Sequence, residues 1–261
     1  MYCFECGFKL IENSKFCSEC GTKQPIKESE KIDENDLVTK NDLKYYNGEL
    51  FTGESFGEWD FLEETDEDSG EKYEEGYFKT VNRKRKANYL NGKLHGLWEV
   101  MTENESGKFV ITHKKEYSNG LILRDTEYNL DGTFKINAIY ENGSTKLIES
   151  YLAGNLWLRT EYNGNKIHKE EYYHKIGQLS VKKTVILNNL GREVNVGNLK
   201  SYNENGTPLD DLSFDDNGNA DGIWKRYNEK GELFLEQLYK NGKLINENYQ
   251  EDKKRAWFRM T

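Results

Sequence analysis

Cys3, Cys6, Cys17 and Cys20 are the only cysteines of the chain, and they form two Cys-x-x-Cys pairs ten residues apart. Thiolates are soft, anionic ligands. Four of them at this spacing predict one tetrahedral Zn²⁺ site with bonds of about 2.3 Å. A glycine, Gly7 or Gly21, follows each pair. Two thiolates three residues apart must turn onto one ion, and glycine permits the positive φ that such a turn needs. Four protein ligands leave no open position, so the expected Zn²⁺ is structural and not catalytic. About 20 residues hold too little core to fold without such a staple. A redox reading of one Cys-x-x-Cys would leave the other pair unexplained.

Other chemistry is sparse. His95, His113, His168 and His174 form no ligand motif and read as solvent-facing. Carboxylates are abundant, but they crowd into 54–75 or alternate along strand-like segments, as Glu161 and Glu171 do. There is no glycine-rich phosphate loop and no nucleophile elbow, so the chain reads as a non-enzyme. The run Arg83-Lys84-Arg85-Lys86 is the best candidate for nucleic acid or a phospholipid surface. Its competing reading is charge pairing with the acidic segment one hairpin away, and that reading is preferred.

The elements that must position these residues follow from punctuation. Residues 1–23 form the metal module and 24–41 read as a charged flexible linker. Residues 42–250 repeat one phrase: an aromatic residue, a short polar turn with glycine, then an alternating strand. It appears as Tyr89-Leu90-Asn91-Gly92, Tyr117-Ser118-Asn119-Gly120, Tyr140-Glu141-Asn142-Gly143 and Tyr239-Lys240-Asn241-Gly242. Asn-Gly is a strong hairpin signal, because a type I′ turn needs positive φ at both central residues. Between turns, Thr133 to Tyr140 places Phe134, Ile136, Ala138 and Tyr140 on one face by period-two alternation. Short turns make sequence neighbours antiparallel neighbours in space. The expected fold is therefore all-β: a small zinc ribbon, then an elongated antiparallel β-meander of hairpin repeats. Gly57-Glu58-Trp59, Gly96-Leu97-Trp98 and Gly222-Ile223-Trp224 share Gly-x-Trp, with Asn155-Leu156-Trp157 a variant. These tryptophans read as stacked core residues, each glycine leaving room for the ring of the preceding repeat. Residues 251–261, basic and aromatic, read as a cap over the last strand.

Composition fits a thin β structure. Mean hydropathy is -0.94 and only 35% of residues are hydrophobic, yet 13% are aromatic. The formal net charge is -9. Residues 54–75 alone hold eleven acids against Lys72. Such a patch disfavours nucleic acid and anionic membrane. No run of about 18 apolar residues offers a membrane span. The metal module starts at once, leaving no room for a signal peptide. Cysteines clustered at zinc spacing fit a reducing compartment, so a cytoplasmic location is expected.

The phrase resembles the MORN-repeat proteins, in the bacterial variant form whose units read Gly-x-Trp…Tyr-x-x-Gly-x-Leu…Glu…Tyr-x-Asn-Gly-Lys. Residues 221–244, DGIWKRYNEKGELFLEQLYKNGKL, and 89–100, YLNGKLHGLWEV, carry the resemblance. It covers about 43–249 and weakens around 60–80 and 176–200. Residues 2–21 separately resemble a short bacterial zinc-ribbon module. The resemblance implies a protein-binding role of the antitoxin or immunity type, neutralising a partner toxin. The alternative is an adaptor for nucleic acid or a membrane surface, using the zinc ribbon and the basic run 83–86.

Overall fold

The computed structural model describes residues 18–22, 31–65, 71–73, 76–164 and 167–249. These residues are almost entirely strand. The one helical element among them is a 3-10 turn, Glu34–Asp36. Before and after it come β1 (Lys31–Asp33), β2 (Val38–Lys40), β3 (Leu43–Tyr46) and β4 (Glu49–Leu50). Then follow β5 (Gly53–Thr65), β6 (Glu71–Tyr73), β7 (Gly76–Leu90), β8 (Lys93–Glu103), β9 (Phe109–Ser118) and β10 (Leu121–Tyr128). The sheet continues with β11 (Phe134–Glu141), β12 (Ser144–Leu152), β13 (Asn155–Asn163), β14 (Ile167–Tyr173) and β15 (Leu179–Leu187). It closes with β16 (Glu193–Tyr202), β17 (Pro208–Phe214), β18 (Gly222–Tyr227), β19 (Leu233–Lys240) and β20 (Lys243–Tyr249).

From β7 to β20 every strand pairs antiparallel with the next, so the expected meander is the observed topology. At its start β5 pairs with β7, and β1 adds to β5 in parallel. A separate small sheet, β2-β3-β4, lies beside this end. Here sits the one compact hydrophobic cluster among the described residues. Ile32, Leu37, Phe51, Ala87 and Tyr89 are buried, and Tyr46, Leu94 and Trp98 pack against them. Residues 31–40, which their charge content assigns to a linker, thus carry β1, the 3-10 turn and β2. Of their three apolar side chains, Ile32 and Leu37 go into the core and Val38 stays exposed.

The turns follow two chemistries. Asn47-Gly48, Asn91-Gly92, Asn119-Gly120, Asn142-Gly143 and Asn241-Gly242 have both residues at positive φ, as a type I′ turn requires. The longer turns at 104–108, 188–192, 203–207, 215–219 and 228–232 open on Asn or Asp. Its side-chain oxygen accepts backbone N–H bonds from the residues two and four positions on.

Next to the turns the ladder shifts by one residue. Tyr128, Tyr140, Tyr151, Tyr173, Tyr202, Tyr227 and Tyr239 each mark such a shift, with one extra residue on the following strand. These bulges increase twist and reverse the side-chain alternation beyond them. The extra residue at Lys135 puts Phe134 on the opposite face from Ile136 and Ala138, contrary to simple alternation. Trp157 is likewise the extra residue opposite Tyr151, and it is 42% exposed.

Candidate binding surface

Directly paired residues share a face, so the register sorts side chains across the whole sheet. One face, here the front, carries the row Ala87, Trp98, Lys115, Asp125, Ala138, Ile148, Thr160, Glu170. The back carries Lys86, Glu99, Lys114, Thr126, Asn137, Glu149, Arg159, Glu171, Lys182, Lys200, Asp211, Lys225, Glu236. Signs alternate along much of that back row, making a cross-strand ionic ladder.

The ladder is densest at β12–β15. Arg159 lies among three carboxylates: Glu161 at 2.6 Å, Glu171 at 3.5 Å and Glu149 at 3.8 Å. Lys182 reaches Glu171 at 2.7 Å, and the Tyr173 hydroxyl donates to the same carboxylate at 3.0 Å. Asn137 and Tyr151 donate to Glu149. The Lys182 bond holds the Glu171 carboxyl below its ordinary value, against a smaller desolvation effect. On the front, Glu170 accepts from Tyr172 at 2.8 Å and Lys183 at 2.9 Å, with His168 Nε2 at 3.0 Å. Burial pushes the Glu170 carboxyl up, but Lys183, Tyr172 and His168 outweigh it and leave it lowered. Both carboxylates stay ionised at neutral pH. They are arranged to hold cations and hydroxyls, not to release a proton.

Tyrosines form a row on each face. Tyr89, Tyr117, Tyr140, Tyr162 and Tyr239 share the front, beside the Asn-Gly turn edge. Tyr128, Tyr151, Tyr173, Tyr202 and Tyr227 share the back, beside the opposite edge. On the back, Phe134 lies between Tyr128 and Tyr151, with ring centres 5.3 and 5.4 Å away. A shallow concavity of about 410 Å³ opens nearby, lined by Ile139, Leu147, Arg159, Glu161 and Lys169 among others. Apolar side chains remain in contact with water beside these rows: Leu97, Leu123, Leu152 and Ile223 are among the exposed ones. A flat surface that mixes exposed aliphatics, tyrosines and pre-paired charges suits a macromolecular face more than a small ligand.

The basic run is not a bare cationic patch. Lys84 pairs with Glu58 at 2.9 Å, Lys86 with Glu54 at 2.5 Å, and Arg85 with Glu34. Arg83 lies over the Phe61 ring at 4.0 Å. The charge-pairing reading therefore holds for the described part of 54–75, with Glu34 as a partner that sequence distance concealed.

Three of the four histidines depart from expectation, while His95 is exposed as expected. His168 is only 14% exposed at its side chain and stacks on Tyr162, while His174 Nε2 donates to the Tyr202 carbonyl at 3.0 Å. His113 is half-buried, and desolvation lowers its pKa despite the nearby Glu127. The Gly-x-Trp glycines also have another purpose. A Cβ at Gly96 or Gly222 would meet no ring, and both residues have positive φ, 81° and 102°. Each sits two residues after a carbonyl, Leu94 or Ala220, that accepts the N–H of the next turn glycine, Gly120 or Gly242. Phe51, two before Gly53, accepts from Gly92 in the same way. We refer to this contact as a clasp between successive hairpins.

Of the expected metal ligands, Cys3, Cys6 and Cys17 lie outside the described residues. Cys20 is exposed, and its Sγ donates to the Thr22 hydroxyl at 3.2 Å. Gly21 has φ 69°, the conformation that a metal knuckle needs after its second cysteine. Among the described residues no group of His, Cys, Asp and Glu is gathered to hold a metal. No helix among them is long and apolar enough to cross a membrane.

No known family model matches the chain, and no curated protein matches it.

Proposed function

We propose that this chain is a non-enzymatic protein-binding scaffold, its long sheet receiving a protein partner while a zinc module is carried at the N-terminal end. The observation that supports this most directly is the sheet itself. Beyond the small cluster at its start, few side chains between β8 and β20 are fully buried, and both faces carry tyrosines and charges. A protein partner covers such a surface by contact of two broad faces. Zn²⁺ would be held by Cys3, Cys6, Cys17 and Cys20 and would cross-link the module as a structural ion. The positive φ of Gly21 fits that use. The narrower reading, drawn from the repeat phrase, is an antitoxin or immunity protein acting in the cytoplasm, with residues 251–261 capping the array.

The test is capture of a partner by the full chain, followed by cross-linking mass spectrometry on the purified complex. Cross-links on the sheet, between 42 and 250, support the scaffold reading. Cross-links confined to 1–23 overturn it. For the antitoxin version, co-expression should relieve growth arrest caused by the captured partner. A partner harmless to the cell removes that version and leaves the scaffold.

A further inference from the structure

Five Asn-Gly type I′ turns of this chain are nearly superimposable in conformation. Asn47, Asn91, Asn119, Asn142 and Asn241 have φ between 48° and 51°, and the glycines after them lie between 76° and 85°. All five asparagines are exposed. The turns differ in the partner of the glycine N–H. Gly92 donates its N–H to Phe51 at 2.7 Å, Gly120 to Leu94 at 2.7 Å and Gly242 to Ala220 at 2.8 Å. Gly48 and Gly143 have no such acceptor among the described residues. For Gly143 the reason lies in the preceding hairpin. The position two residues after Ile122 is Arg124, which is not a positive-φ glycine, so no carbonyl is turned towards the turn.

We propose that Asn142 and Asn47 are sites of spontaneous deamidation, and that the clasp protects Asn91, Asn119 and Asn241. The reaction needs only water. The Gly143 nitrogen gives up its proton to solvent base and attacks Asn142 Cγ. The new C–N bond closes a five-membered succinimide as the Cγ–Nδ2 bond breaks, and the side-chain nitrogen takes a proton from water and leaves as ammonia. Water then adds to one ring carbonyl and opens the ring to aspartate or isoaspartate. In every turn the asparagine must leave its left-handed conformation before the nitrogen can reach Cγ. In a clasped turn that movement also breaks the glycine's hydrogen bond to the neighbouring hairpin. The glycine nitrogen thereby loses its freedom to act as the nucleophile. At Asn142 the product would place a new carboxylate beside Glu141, which pairs with Lys146 at 3.5 Å.

The test uses the full chain, incubated in mildly alkaline buffer made with ¹⁸O water and then mapped by peptide mass spectrometry. Each site's rate is divided by its rate in the urea-unfolded chain, which removes effects of neighbouring sequence. Asn142 and Asn47 should convert at least about fivefold faster than Asn91, Asn119 and Asn241 on this scale, the factor set by one ordinary hydrogen bond. Equal normalised rates at all five sites would overturn the proposal, as would slower conversion at Asn142. Gly96→Ala supplies a second arm. A side chain there disfavours the φ that aims the Leu94 carbonyl, so Gly120 is released and Asn119 should gain speed while Asn241 does not. An unchanged Asn119 in a folded Gly96→Ala chain would also count against the clasp. The comparison within the wild-type chain stands without that variant.

Discussion

Trp224 offers the sharpest test of how a thin sheet stays folded. Its ring lies between Phe214 and Tyr239, with centres 5.4 and 4.6 Å away, and its Nε1 donates to the Ser213 carbonyl at 2.8 Å. The residue is half-buried. A tryptophan offers up to about 250 Å², and covering about 130 Å² of it stabilises by about 3 kcal/mol at 25 cal/mol per Å². The hydrogen bond adds about 1 kcal/mol, because its loss sends Ser213 back to water and does not strand it in a dry core. Trp224→Ala should therefore cost about 3–4 kcal/mol, and Trp224→Phe about 1–2 kcal/mol. Urea melts give the total. A repeat array can open locally, so native-state hydrogen exchange on β17–β20 should accompany them. The loss should appear first in those strands. A cost below about 1 kcal/mol for Trp224→Ala would refute the argument and mark the ring as surface free for a partner.

Three further outcomes follow from named groups. Acid should destabilise the fold in two stages. His113 is held below 6.5 by burial, with Arg83 and Lys115 reinforcing burial and Glu127 and Asp125 opposing it, so stability falls as pH drops from 6.5 through its lowered value. Glu170 and Glu171 are held below 4.5, so their contribution is complete above 4.5 and disappears as pH falls through their folded values; thermal melts across pH 8 to 3 read both stages. Metal analysis should find one Zn²⁺ per chain, and Cys17→Ser should abolish it while the melting of the sheet stays unchanged; a metal-free wild type with four titratable thiols would end the zinc reading. Replacing Arg159 with Met should destabilise by about 1 kcal/mol, since the guanidinium is a third exposed, and the loss should shrink with added salt. A salt-independent loss would point to packing alone.

Much of the fold is legible in the sequence because its turns are chemically explicit. Asn-Gly after a tyrosine locates hairpins from Tyr89 to Tyr239, and short connections leave only antiparallel neighbours. Details that depend on register are hidden. Alternation assigns Phe134 to the face of Ile136, but the extra residue at Lys135 reverses it. The same kind of bulge takes Trp157 out of the stacked set. The charged stretch from Lys31 to Lys40 reads as linker because three apolar residues in ten are too few to signal a strand, although Ile32 and Leu37 are what complete the core. Arg159 and its three carboxylates are spread from 149 to 171, and only the paired strands bring them together. Glycine before tryptophan is visible in the sequence, but its use in aiming a carbonyl at the next hairpin is a matter of φ.

The placement of the tyrosine rows limits how such a chain can change in length. From β9 to β14 each strand carries a tyrosine at or next to its end, and successive ends alternate between edges and between faces. Losing a single strand would turn the tyrosines beyond it onto the other face and break both rows. Losing two adjacent strands with their turns leaves both rows aligned. Growth or shortening by whole hairpins is thus the step the architecture tolerates, and the width of the surface offered to a partner is set in increments of two strands, about 10 Å at a time.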